Sequence, residues 1–329
     1  MSVEFPEPDT VRAVLSLALR APSVHNSQPW HWRVDPQGLH LYADYSRHLP
    51  NTDPDRRDML VSCGAALHHC AVALAAMGWQ AKIRRFPDPA DRTHLASIDV
   101  QPLKASELDI TLAAAITRRR TDRRNYSSWP VPTGDIALMG ARAARAGVML
   151  RRLDLLPHLT DIVARSVRTH AADIDYLTEL SAWSGRYGSL AGVPAHNTPA
   201  PDQHAALPAR VFAGPVLTQP SQTPAAEDHA VLLALGTETD DDLARLRAGE
   251  ATSLVLLSAT AMGLATCPVT EPLEIAETRE AVGDDVFGTS GYPQMMLRVG
   301  WAAVNADPLP ATPRRPFADV VDGVDSRVA

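Results

Sequence analysis

Two stretches of this chain match at one fixed step, the same from Gly64 to Gly249 as from Gly78 to Gly263, and that repeat limits its fold more than any other feature. Gly64-Ala65-Ala66 runs on to Ala76-Met77-Gly78, and Gly249-Glu250-Ala251 runs on to Ala261-Met262-Gly263. Ala, Leu and Val fill both stretches with few charges. Each is long enough for a buried helix ended by a glycine, which enters the left-handed cap conformation with no Cβ penalty. A strand-like run follows each, Gln80–Phe86 in the first and Leu264–Val269 in the second. A helix, a glycine and a strand can coincide by chance. The shared Ala-Met-Gly endings favour a duplicated unit.

A fainter match precedes it. Leu15–Ala21 lies on Leu138–Ala144 at a shorter step, each helical in pattern and each followed by a strand candidate, His31–Val34 and Val148–Leu153. The two steps differ, so the second copy is expected to carry an insertion that makes up the difference, at about 173–238. Its middle, Gly192–Ala226, holds seven prolines and no sustained periodicity. Such a length of irregular chain is either disordered or a functional lid. Trp183, Tyr187 and Phe212 offer apolar anchors and favour a lid that packs on something. The expected layout is an α+β chain with a first unit at 1–103, a linker through Lys104-Ala105-Ser106, and a second unit at 107–329 opening on a helix at Glu107–Arg118.

Composition narrows the function classes. A chain of 329 residues with 45% hydrophobic residues can bury a large core, and a net charge of −7 argues against a nucleic-acid surface over the whole molecule. No run approaching 18 apolar residues stands out, and the acidic start MSVEFPEPD lacks a signal-peptide core, so a soluble, cytoplasmic chain is expected. Cys63, Cys70 and Cys267 form no even framework, which points to a reducing compartment. Cys63, His68, His69 and Cys70 tempt a metal reading, but the two histidines diverge by about 100° on a helix and no second ligand cluster appears. No metal is expected. Neither a glycine-rich phosphate loop nor a nucleophile elbow is present.

Two segments could carry chemistry. Ala21–Trp32 reads APSVHNSQPWHW, a turn in which Pro22 and Pro29 restrict the backbone while Ser23, Asn26 and Gln28 offer donors and acceptors. It reads either as a ligand loop or as a helix stop before an edge strand. Arg118-Arg119-Arg120-Thr121-Asp122-Arg123-Arg124 follows a helical pattern and reads either as a phosphate clamp or as a solvated basic helix end. Arg314-Arg315, between Pro313 and Pro316, is a second and weaker basic pair.

With those residues in hand the chain resembles the flavin-dependent nitroreductase family, and within it the mycobacterial Acg-type branch, whose members fuse two such units. The family's Arg-Arg-Ser-x-Arg segment is similar to Arg119-Arg120-Thr121-Asp122-Arg123, its Pro-Ser-x-x-Asn-x-Gln-Pro-Trp segment to Pro22–Trp30, and its terminal basic element to Arg314-Arg315. Two departures are Thr121 in place of Ser, which keeps the hydroxyl, and one extra residue before Tyr126, which leaves Arg124 without an assigned role. The resemblance implies a nitroreductase-like fold and an FMN cofactor. Its phosphate would lie on Arg119, Arg120, Thr121, Arg123, Arg314 and Arg315. Pro22, Ser23, Asn26 and Gln28 would line the flavin, and Pro268, Thr270 and Glu271 would approach ring atom N5. It also implies a small-molecule electron acceptor, such as a nitroaromatic or quinone, with NAD(P)H as transient reductant. No side chain need act as acid or nucleophile, and no nucleic acid or membrane is implied as a partner.

Only the first copy has the polar turn and only the second has the arginine segment. The expectation is therefore a monomer that acts as a pseudo-dimer and binds one FMN per chain. An insertion folded down on the ring would instead make an FMN-sequestering protein with little turnover.

Overall fold

A computed structural model describes residues 5–36, 38–155, 157–185, 188–202, 205, 207–220 and 228–324. The proposed anchor Tyr187 lies outside these residues. Helix α1 (Pro8–Ala18) starts on a proline and buries Val11, Val14, Leu15 and Ala18, one stripe of an amphipathic helix. It begins earlier than the helical pattern at Leu15–Ala21 suggested. Strands β1 (Trp30–Asp35) and β2 (Gly38–Ala43) pair antiparallel, followed by α2 (Arg57–Ala76), β3 (Trp79–Arg85) and β4 (His94–Pro102). Ser106 and Asp109 form a reciprocal capping box that starts α3 (Glu107–Arg118).

The rest of the chain repeats the plan with additions. Helix α4 (Thr133–Arg145) leads to β5 (Met149–Leu153), α5 (Pro157–Ala172) and α6 (Ile174–Ala182), and the next strand is β6 (Val231–Thr237). After it come α7 (Asp242–Ala261), β7 (Ala265–Pro268), the single turn α8 (Glu271–Glu274), α9 (Ala276–Val286) and β8 (Tyr292–Gly300). The first sheet runs β3-β4-β2-β1 and the second β7-β8-β6-β5, the same order position by position. The tail then crosses back, and its last strand, β9 (Val321–Asp322), pairs parallel with β1 at the edge of the first sheet.

The inserted chain has different limits from those expected. All seven residues of β6 are buried at the centre of the second sheet, so the insertion ends before Val231 and not at 238. A strand covered on both faces is a continuous apolar run with no alternation, which hid it in the sequence. The added chain also starts directly after β5, well before 173.

Helices α2 and α7 are each 20 residues long, and their first residues, Arg57 and Asp242, are separated by the same step as the repeated glycines. Gly78 and Gly263, one past each C-cap, have φ of +87° and +88°, the left-handed termination the sequence called for. The two helices cross where the repeated glycines Gly64 and Gly249 meet, backbone against backbone. A Cβ on Gly64 would lie 2.0 Å from the Leu246 carbonyl oxygen, and one on Gly249 would lie 2.1 Å from that of Val61. One turn further along, Ser253 Oγ lies 2.8 Å from His68 Nδ1 and 3.1 Å from His69 Nδ1. By length and mean hydropathy, 1.7 over its best window, α2 would suffice to cross a bilayer, contrary to the impression from the bare sequence. In this fold it is a core helix, with the first sheet and α1 on one side and α7 on the other.

Gly64→Ala is expected to destabilise the protein by about 3 kcal/mol or more, since backbone cannot move aside for the methyl. Gly134→Ala, in α4 with nothing within 4 Å, should be neutral or stabilising by about 0.5–1 kcal/mol. Thermal denaturation of both variants checks the contrast. Burial also pushes the His68 pKa down to about 4. Below about pH 6.5 the unfolded chain takes up a proton that the folded one refuses until about pH 4, so this group drains stability across that window. His68→Gln should flatten the fall in melting temperature over the same range.

Candidate functional site

The turn after α1 has an unusual backbone. His25, Asn26 and Gln28 take φ of +43°, +54° and +52°, a region that residues with a Cβ enter only when their surroundings hold them there. Ser23 Oγ accepts from Gln28 N at 2.9 Å, and Ser62 Oγ on α2 accepts from Val24 N at 3.0 Å. The amides expected to meet a ligand are otherwise engaged. Asn26 Nδ2 donates to the Gly192 and Pro313 carbonyls at 3.0 and 3.1 Å, and its Oδ1 accepts from Arg314 Nη1 at 3.1 Å. Gln28 Nε2 donates to Leu190 O at 2.9 Å, and its Oε1 accepts from Arg315 N at 2.8 Å. Asn26 and Gln28 thus fasten the insertion and the tail to the turn and do not line the cavity beside it. Pro22 and Ser23 do line it.

The arginine segment lies along the second sheet, where Thr121 bridges Thr266 and Asp122 N donates to Thr266 O at 2.9 Å. Its members part company there. Arg124 forms a two-pronged pair with Asp122 at 2.8 and 2.9 Å, which accounts for it structurally. Thr121 and Arg123 line the cavity, where the Arg123 guanidinium sits 4.8 Å from the Phe212 ring centroid.

Arg119 and Arg120 point elsewhere, toward Arg20 at the end of α1 and Arg314 from the tail. Arg314 caps α1 by donating to the carbonyls of Leu19, Arg20 and Ala21 at 3.0–3.1 Å. None of these four arginines has a salt bridge among the described residues, whereas Arg315 pairs with Asp44 at 3.3 Å. Arg119 is 7% exposed, and its Nε and Nη1 have no hydrogen-bond partner there; Nε of Arg20 and of Arg120 are likewise unmatched. Burial, then the neighbouring guanidiniums, push the Arg119 pKa down to about 10 and that of Arg314 to about 9. Buried cations without counter-charge cost several kcal/mol, and a polyanion bound among them removes that cost.

The cavity and the arginines share one side of α2. Asp58, Ser62 and Ala65 line the cavity. His69, one turn beyond, lies within the field of Arg119 and Arg314 and has an unpartnered Nε2. Asp58 to His69 spans about 16 Å of helix. The cavity, about 200 Å³, is bounded by Thr252 of α7, by Pro268 at the end of β7 with Thr270 and Glu271 beyond it, and by residues 199–202, 205, 207–210 and Phe212 of the chain between α6 and β6. Arg210 of that stretch forms an ion pair with Glu274 at 2.5 Å, and Thr270 Oγ1 donates to the same oxygen at 2.6 Å. Glu271 meets His170 of α5 at 3.2 Å. Burial pushes the Asp58 carboxyl up to about 6 against the pull of Arg57, 2.9 Å away.

The structure thus brings Pro22, Ser23, Thr121, Arg123, Pro268, Thr270 and Glu271 around one cavity, with Arg119, Arg120 and Arg314 at a second pole; Asn26, Gln28 and Arg315 serve the tail. Sequence reasoning missed Arg20, Asp58 and Arg210. Arg20 directly precedes the polar turn and was readable as part of it. Arg210 is a lone charge in a proline-rich stretch and gave no signal.

An arginine cluster thus lies at one pole and a largely apolar cavity at the other. The nitroreductase family profile matches residues 159–301. A Mycobacterium tuberculosis protein named "Putative NAD(P)H nitroreductase Rv3131" is 64% identical over 322 residues, covering 98% of this chain and 94% of its own. Another, "Putative NAD(P)H nitroreductase acg" of the same organism, is 36% identical and covers 95% of each chain. The chain belongs to the nitroreductase family. Among solved structures, the FMN-dependent nitroreductase NfnB from Mycobacterium smegmatis in complex with NADPH covers 66% of this chain and 99% of its own at 15% identity and a TM-score of 0.40, too loose a likeness to inform the site.

Asn26→Ala removes three hydrogen bonds and puts a methyl-bearing residue at positive φ without an amide to hold it. A loss of about 1–3 kcal/mol is expected. Faster proteolytic cleavage of the tail between β8 and β9 should accompany it, whether or not a cofactor is added.

Proposed function

We propose that the chain is an FMN-dependent oxidoreductase that takes reducing equivalents from NAD(P)H and passes them to a small acceptor such as a nitroaromatic or a quinone. The observation that carries this reading is the cluster of buried Arg119 with half-buried Arg20, Arg120 and Arg314, cationic and without an acidic partner among the described residues, further along the same side of α2 as the cavity. These residues fit a phosphate. In this reading Arg119, Arg120 and Arg314 bind it, Thr121 adds a hydroxyl nearby, and the ring lies in the cavity between α2 and the Pro268–Glu271 segment. Bound FMN would supply two-electron redox chemistry, which no side chain here provides. The chain's own residues bind it, orient it and, through residues 199–202 and 207–210 acting as a roof, keep water from it.

The two halves act as a pseudo-dimer within one chain and bind one FMN. At the position that faces the cavity α2 carries Ala65; at the matching position of the repeat α7 carries Glu250, closed by a two-pronged pair with Arg85 at 2.6 and 2.7 Å. The repeat-related position is thereby filled by protein and lacks an arginine segment. Flavin absorbance against protein should give one FMN per chain; two would sink the pseudo-dimer.

Arg119→Ala with Arg120→Ala should release FMN, since two charge-assisted bonds of about 1.5–3 kcal/mol each are lost, on the order of a hundredfold or more in affinity. The cofactor-free variant should melt no lower than the cofactor-free parent, because the deleted charges repel each other. Retention of stoichiometric flavin would overturn the phosphate assignment.

A second reading has its own observation. The roof lies over the cavity and Arg210 is clamped to Glu274, an arrangement that suits a flavin kept covered with little turnover. Anaerobic mixing with NADPH separates the two: bleaching of the flavin band within seconds supports the oxidoreductase, and an unchanged band supports sequestration.

A further inference from the structure

We infer that His25 is a specificity-determining residue, a neutral ring whose Nδ1–H donates to an oxygen of the small molecule that enters the cavity, with Arg210 as the positioning residue that holds this tautomer. The inference rests on the proposed function in one respect, that the cavity admits a small oxidant such as a nitroaromatic.

Four observations carry it. His25 is one of the residues lining the cavity, 6% exposed, and its ring meets Phe212 edge-on at 6.0 Å and 76°. Arg210 Nη1 is hydrogen-bonded to His25 Nε2. A guanidinium can only donate, so Nε2 must accept and the ring proton must sit on Nδ1. Nδ1 is itself buried and has no partner among the described residues, which leaves a donor whose bond is still to be made. The ring is also held in place, because its backbone sits at φ +43° in the turn fastened by Ser62, Ser23 and the tail.

The surroundings keep the ring neutral. Burial, then the positive charges of Arg210 and Arg123 and the proximity of His170, lower its pKa well below the ordinary histidine value. A neutral ring with a fixed N–H discriminates by chemistry. It rewards a nitro or carbonyl oxygen and offers nothing to a purely apolar molecule of the same shape. Arg210 belongs to the insertion and is anchored by Glu274. The donor is therefore set by a residue of the chain between α6 and β6 that is itself held in place.

Two measurements on the full-length, flavin-loaded protein test this. Nitrogen-15 histidine spectra should show His25, assigned by its loss in His25→Asn, with the proton on Nδ1 and a hydrogen-bonded, unprotonated Nε2. A proton on Nε2 or a charged ring at neutral pH overturns the inference. Calorimetric binding of nitrobenzene and of isopropylbenzene, its apolar counterpart in shape, reads the donor directly. His25→Leu should weaken nitrobenzene by about five- to tenfold and leave isopropylbenzene unchanged. His25→Asn, which places an N–H near the Nδ1 position and tolerates positive φ, should recover most of the loss. Equal effects of His25→Leu on both probes, unaltered nitrobenzene affinity, or no nitrobenzene binding to the parent protein each overturn it. Should His25→Leu fail to fold, the tautomer and the comparison of His25→Asn with the parent still decide. Failure of NADPH to bleach the flavin counts against the oxidoreductase reading and leaves both of these measurements standing.

Discussion

Everything else in the molecule is arranged around the contact of α2 with α7 at Gly64 and Gly249. Two helices can approach until backbone meets backbone only where neither carries a Cβ, and here each glycine faces a carbonyl of the opposite helix. The crossing sets the distance between the two sheets, since each sheet packs on its own central helix. It also sets which residues of α2 face the second sheet. Asp58, Val61, Ser62 and Ala65 become the floor of a cavity whose far wall is the chain after β7. A wider crossing would separate the polar turn from the arginine segment, and there would be no site.

The tail performs the complementary task. After β8 the chain returns to the first sheet and pairs as β9 beside β1. On the way Arg314 caps α1 and joins the arginine cluster, while Arg315 and the Asn26 and Gln28 amides lock the turn to the tail. The strained turn is stable because the tail and the insertion both bond to it. Strain of this kind persists only where surroundings over-determine it, and His25 owes its fixed direction to that support. The same segment therefore serves packing and recognition at once, through different residues.

Much of the fold was legible. The fixed step between the repeated helices, the glycine caps, the helix at Glu107–Arg118 and the strands after each repeated helix all follow from local chemistry, since caps and apolar runs act within a few residues of themselves. The site was legible in its ingredients. The serine-asparagine-glutamine turn and the arginine run both stood out, and a cavity does join Pro22 and Ser23 to Thr121 and Arg123. Their division of labour was not legible. Asn26 and Gln28 look like ligand groups by type, and only their partners, 162 to 287 residues away, show that they hold the chain together. Strand β6 was hidden by its complete burial, and Arg210 by the absence of any pattern around it.

The sequence by itself determined the repeated helices, their terminations, the polar turn, the arginine run and the resemblance to one family. Each rests on residue type and short-range spacing, which survive without knowledge of neighbours. Tertiary structure alone decided that four arginines from the end of α1, the segment after α3 and the tail meet without an acid among the described residues, that Arg210 lines the cavity and pairs with Glu274, and that His25 is left with one unmatched donor. These are properties of distance and burial between parts of the chain far apart in sequence. Charge without a partner and a donor without an acceptor exist only once the fold has excluded water from them.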